Sequence, residues 1–121
     1  MRKYWGILLV TGLVACQPYS TSDLAGTWQA VGLTDSADSL EIDLSEVRFT
    51  FDADGGYTFV STLNYREAGS YRLDGPYLFT TDTLHSLSRE KAVEIQQLAN
   101  DSLVILMNEA GRDRVLTLLK Q

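Results

Sequence analysis

The chain has 121 residues, one Cys, one His, two Pro and a formal charge of −6. That length suits a single domain, and 45% hydrophobic residues is ordinary for a globular one. One Cys rules out an intrachain disulfide and, with one His, a Cys/His zinc site, while the acid excess argues against nucleic acid as a partner.

Met1-Arg2-Lys3 places two positive charges ahead of an uncharged, largely apolar run from Tyr4 to Ala15. That is the layout of a secretory signal. The run is about a dozen residues, short of the roughly 20 a spanning helix needs. Leu13-Val14-Ala15-Cys16 resembles a bacterial lipobox, the pattern cut just before the Cys. The resemblance implies that Cys16 carries diacylglycerol and an acylated amino terminus, with palmitate as a typical chain. Several acyl chains on one residue anchor stably, since each buried CH₂ contributes about 0.8 kcal/mol. The other reading of Cys16 is a buried thiol behind an ordinary signal peptide.

On the lipobox reading, residues 1–15 are a signal peptide, 16–23 the lipidated Cys and a polar tether, and 24–121 a barrel domain. Cleavage leaves 106 residues, and losing Arg2 and Lys3 deepens the charge to −8. Gln17 is not Asp, which by analogy with enterobacterial sorting implies the outer membrane, facing the periplasm. No acidic run follows Cys16, so a surface-export signal is not evident.

From Leu24 on, apolar runs are short and turn residues frequent, the pattern of an all-β chain. Thr27 to Val31 reads as the first strand, followed by a polar loop, Leu33 to Ser39. Leu40 to Leu44 alternates and reads as a second strand. Val47 to Phe51 and Tyr57 to Ser61 form a hairpin across Asp52-Ala53-Asp54-Gly55-Gly56, whose glycines permit positive φ. Asp52 and Asp54 are too few for a calcium loop, so no metal is expected. Gly69 to Leu73 and Tyr77 to Thr81 flank Asp74-Gly75-Pro76. Asp82 to Lys91 is ambiguous between strand and turn. Ala92 to Leu98 pairs with Ser102 to Met107 across Asn100-Asp101, and Arg112 to Leu119 returns after Glu109-Ala110-Gly111. The sum is about eight antiparallel strands in sequential hairpins, a number that can close on itself and remove its edges. No helical stretch stands out.

Three groups of residues carry a resemblance to a family. They are Leu24-Ala25-Gly26-Thr27-Trp28, then Phe49-Thr50-Phe51 with Gly56-Tyr57, then Gly69-Ser70-Tyr71-Arg72-Leu73 with Leu98-Ala99-Asn100-Asp101-Ser102-Leu103. In this order they resemble the short lipocalin-like lipoproteins of Bacteroidota, over most of residues 24–119. The resemblance implies a small antiparallel up-and-down barrel that binds a small apolar ligand or lipid and works as a monomer. It also implies that Trp28 closes the barrel floor beneath an Arg of the last strand, Arg112 or Arg114, with Arg114 the expected partner. Against that stands an exposed position for both arginines.

The ligand-lining candidates are Trp28, Phe49, Phe51, Tyr57, Phe59, Tyr71, Phe79 and Ile105. Ile42, Ile95, Leu103 and Leu116 are further inward candidates. Such large residues either line a pocket or fill it, because a small eight-stranded barrel can be packed solid. His85 has no positioned partner in the sequence, and no nucleophile elbow or phosphate loop is present. No enzyme and no cofactor are expected. Two functions remain: a membrane-anchored binding protein, or a protein-interaction or structural lipoprotein with a filled barrel. In the second, an acidic face would meet a basic protein partner.

Overall fold

Period-two alternation and turn chemistry build the chain hairpin by hairpin. The structure is a computed structural model and describes residues 19–35, 38–39, 42–85, 89–109 and 111–121, with the backbone alone at 38, 39 and 109. Cys16 and the expected signal segment lie outside the described residues.

The strands are β1 (Gly26–Asp35), β2 (Asp38–Ser39), β3 (Arg48–Phe51), β4 (Gly56–Val60) and β5 (Arg66–Asp74). They continue as β6 (Tyr77–Asp82), β7 (Glu90–Ala99), β8 (Ser102–Glu109) and β9 (Arg112–Lys120). Every pairing is antiparallel: β1 pairs with β3, β3 to β9 pair each with the next, and β9 pairs back onto β1. The result is a closed, eight-stranded up-and-down barrel. β2 is a two-residue addition to the end of β1. Closure leaves β1 and β9 as partners rather than exposed edges.

Two bulges keep apolar side chains pointing inward. Between Ala30 and Gly32 the β1–β9 register shifts, and Val31 turns outward. Trp28 and Ala30 therefore face inward before the bulge, and Leu33 and Asp35 after it. A second shift between Ile95 and Gln97 puts Ile95 and Leu98 on the same face. Each bulge resets the alternation by one residue. At Gly69 the backbone of β6 approaches so closely that a Cβ would overlap the carbonyl oxygen of Thr81. In the β3–β4 turn, Gly55 has φ +101°, a conformation that L side chains rarely adopt.

One end of the barrel is closed by a short helix, α1 (Thr21–Leu24), in the segment expected to be a tether. Ser20 and Asp23 form a capping box that satisfies its first turn. Leu24 is fully buried, and its carbonyl accepts a 2.8 Å hydrogen bond from Trp28 Nε1. Above this floor lie Phe51, Leu78, Ile95, Leu103 and Leu118, all nearly inaccessible. Phe51 stacks parallel to Phe49 at 5.4 Å and meets Tyr71 edge-on at 5.1 Å.

Three expectations are corrected here. Of the strand expected over Leu40 to Leu44, residues 40 and 41 lie outside the described residues; no strand forms over 42–44, and Ile42 is 55% exposed. The segment belongs to the β1–β3 loop, where Val47 N–H bonds Leu44 O and those two side chains turn inward. Phe79 points outward, with Arg72 4.1 Å over its ring, and Leu78 takes the interior. Cross-strand register decides this, because Phe79 sits opposite Arg72 while Leu78 sits opposite Leu73. The third correction concerns Trp28. Lys120, not Arg114, lies over its ring, 5.5 Å from the centroid, because Trp28 and Lys120 are register partners. Arg114 is six residues away along β9, about 20 Å at the usual strand rise.

Candidate functional site

The β1–β3, β4–β5, β6–β7 and β8–β9 connections surround the end of the barrel opposite α1. Packing of the interior stops short of this end. A cavity of about 600 Å³ opens there, with an apolar wall of Phe49, Phe59, Leu78, Val93, Ile105 and Met107. A second lobe of about 300 Å³ shares Phe49, Phe59, Ser61 and Met107 with it and extends past Leu33, Leu44 and Arg114. Phe49 and Phe59 lie against each other at 4.5 Å between the lobes. The combined space is within the range of small-ligand pockets, roughly 300–1,000 Å³.

One polar cluster interrupts this wall. Glu67 on β5 is buried. Its Oε1 accepts from the Tyr57 hydroxyl at 3.0 Å, and its Oε2 accepts from the Tyr65 hydroxyl at 2.5 Å and from Lys91 Nζ at 2.7 Å. Burial pushes the Glu67 carboxyl up. The bonds from Lys91, Tyr65 and Tyr57 outweigh that, so it settles below the ordinary carboxylate value. The same contacts act in reverse on the phenols. Tyr65 is pushed up to about 12 by its bond to Glu67, and Tyr57 is pushed up by burial and by the Glu67 charge. Near neutral pH the cluster therefore holds one carboxylate, one ammonium and two neutral phenols.

The rim supports this cluster. In the β4–β5 turn, Leu63 and Asn64 both adopt φ +60°, and Leu63 is almost wholly exposed. A left-handed leucine is an uncommon, strained choice. The turn sets Tyr65 edge-on to Phe59 and stacks it on His85 at 5.6 Å. His85 Nδ1 pairs with Asp82, whose carboxylate also accepts from the backbone N–H of Leu84 and Ala68. Burial raises the Asp82 carboxyl, but these partners leave it below its ordinary value. Across the mouth, buried Asp35 pairs with Arg112 at 2.8 Å and Arg114 at 3.3 Å. Among the described residues no group of three His, Cys, Asp or Glu gathers as a metal site would.

No protein-family model matches this chain, and neither a curated protein nor a solved structure is significantly similar to it.

Of the eight ligand-lining candidates, Phe49, Phe59 and Ile105 line the cavity. Tyr57 reaches it through Glu67. Trp28 and Phe51 are packed into the lower barrel, Tyr71 donates its hydroxyl to Asp52 O at the floor end at 2.6 Å, and Phe79 is outside. Sequence reasoning missed Glu67, Tyr65, Lys91, Leu78, Val93 and Met107. A signal for two of them exists. Glu67 shares strand parity with inward Tyr71, and Lys91 with inward Ile95. Charge in a strand ordinarily reads as a wet face, and only parity with a buried neighbour says otherwise.

Proposed function

We propose that this chain is an envelope lipoprotein whose lipocalin-like barrel takes a small, largely apolar ligand through its open end. The observation that carries the reading is the apolar-walled cavity of about 600 Å³ with a few convergent polar groups. A filled barrel, the competing interaction reading, accounts for the floor half and leaves the hollow half without a role.

The lipobox at Leu13 to Cys16 supports an acyl anchor at Cys16, in the outer membrane and facing the periplasm. Tyr19 packs against the core beside α1. Two residues lie between it and Cys16, and the three steps of chain reach about 10 Å at full extension. An anchor there holds the floor toward the membrane and turns the mouth away from it. The net charge of −8 on such a body would keep it off anionic headgroups.

Two measurements test this. Binding of a neutral fluorescent apolar probe should be lost in Val93→Trp, which fills the cavity from one wall. The unfolding midpoint of that variant should stay within about 1 kcal/mol of the parent. Unchanged probe binding in Val93→Trp would remove the cavity from the argument. Cys16→Ala should move the protein from the membrane fraction to the soluble one, and continued sedimentation with membranes would defeat the anchor.

A further inference from the structure

The cavity places its charge in one spot. Glu67 and Lys91 face the same space, and each neutralises the other at 2.7 Å. Both carboxylate oxygens are already engaged, by two phenols and one ammonium. In the second lobe Arg114 is held by buried Asp35, and Asp43 lies at the edge with its carboxylate accepting from Ser45 N–H. At the rim, Asp82 is held by His85. A head group in the larger lobe thus meets one carboxylate and one ammonium that the protein has already paired with each other.

That wall still offers hydrogen bonds. An ammonium has three donors, and Glu67 takes one from Lys91. The Tyr65 hydroxyl, which lines the space and donates to Glu67, keeps lone pairs to accept with. Ser61, Thr80 and Asn108 line the same space. An uncharged head with hydroxyl or ester oxygens can use these groups. In that lobe an ionised head would face the Glu67 carboxylate while Lys91, the cation of its lining, is already paired, and a charge taken out of water without a partner is costly. The wall opposite is aliphatic and aromatic, suited to an alkyl chain. At about 30 Å³ per non-hydrogen atom, 600 Å³ accepts a molecule of roughly twenty such atoms.

We propose that the barrel takes single-chain acyl amphiphiles with an uncharged, oxygen-bearing head, such as a monoacylglycerol, in preference to fatty-acid anions. Glu67 is the residue that sets this preference, by cancelling the charge of Lys91. The proposal rests on the ligand-binding reading above and adds the ligand class to it.

The test is displacement of N-phenyl-1-naphthylamine from the full chain at pH 7.5, in a bile-salt detergent that carries no acyl chain. The competitors are 1-monododecanoylglycerol, 1-dodecanol and dodecanoate. The two neutral compounds should compete about tenfold more tightly than dodecanoate. In Glu67→Gln the order should reverse, because Lys91 is left to receive a carboxylate. Lys91→Gln is an independent second variant should the first not fold. It exposes the Glu67 charge, so it should abolish dodecanoate competition and leave the glycerol ester within a few-fold. Equal or tighter binding of dodecanoate by the parent protein overturns the proposal, as does an order that neither variant moves. A probe that binds but yields to no acyl compound overturns it while leaving the cavity a binding site. A probe that never binds removes the ligand-binding reading itself, and this proposal with it.

Discussion

The two ends of this barrel are built from the same strands by opposite rules. At the floor, Trp28, Leu24, Leu103 and Leu118 are wholly buried, and the indole N–H is satisfied by a backbone carbonyl. At the mouth, three carboxylates are buried (Asp35, Glu67 and Asp82), each held by a cation or a histidine, beside empty space. Apolar contact stabilises in proportion to what it fills, and a void gains nothing. Paired buried charges fix geometry without adding much net stability. The comparison teaches that the floor holds the fold and the mouth holds a shape.

The largest expected effect is at the floor. Trp28→Ala should lower the unfolding free energy by about 3–5 kcal/mol in urea denaturation, since the site is too tightly packed to collapse fully. A loss under about 1 kcal/mol would break the distinction between the ends. Next is Gly69→Ala, expected to cost about 1–3 kcal/mol because its Cβ would overlap the Thr81 carbonyl. This site lies between the two ends, so both stability and probe binding should fall.

Glu67→Gln should cost less, about 1–2 kcal/mol, through weaker hydrogen bonds to Tyr57, Tyr65 and Lys91. It should also alter the pH dependence of stability in a defined way. The Glu67 and Asp82 carboxyls are depressed in the fold, so their contribution is present above the ordinary carboxylate range. It is lost as pH falls through the depressed values. Tyr65 is raised, so its contribution is complete below its ordinary value of 10 and is lost as pH rises toward about 12. In Glu67→Gln the acid loss should shrink, and the Tyr65 phenol should ionise closer to 10 in an ultraviolet titration. Trp28→Ala should leave both limbs in place. The smallest effect is Lys120→Ala, which removes the cation over Trp28 and should cost about 0.5–1 kcal/mol. A larger loss would mean that electrostatics, not packing alone, holds the floor.

Much of the fold was legible from local pattern. The β3–β4, β5–β6, β7–β8 and β8–β9 hairpins were marked by turn residues between alternating runs. Phe49, Phe59 and Ile105 were marked by size and alternation. Ile42 and Phe79 were misplaced by the same signal, since alternation identifies two faces without saying which is inside. Size suggested Phe79, and register chose Leu78. The Trp28 partner was misassigned for a related reason. Both Arg114 and Lys120 share a face of β9, and only the register with β1 sets Lys120 opposite the tryptophan.

The linear order of residues determined the all-β class, the antiparallel hairpins marked by turn residues and the Trp28 that lies at the closed end. Those follow from spacings of a few residues, which a short segment carries within itself. Tertiary structure alone decided that the barrel is hollow at the mouth, and that Glu67, Tyr65, Tyr57 and Lys91 meet there. Glu67 and Lys91 are 24 residues apart, on strands separated by β6. Their contact depends on two hairpin registers and on the curvature that closure imposes, none of which is written at either position. The same dependence makes a charged residue in a strand readable as solvent-facing until the ring of strands is closed around it.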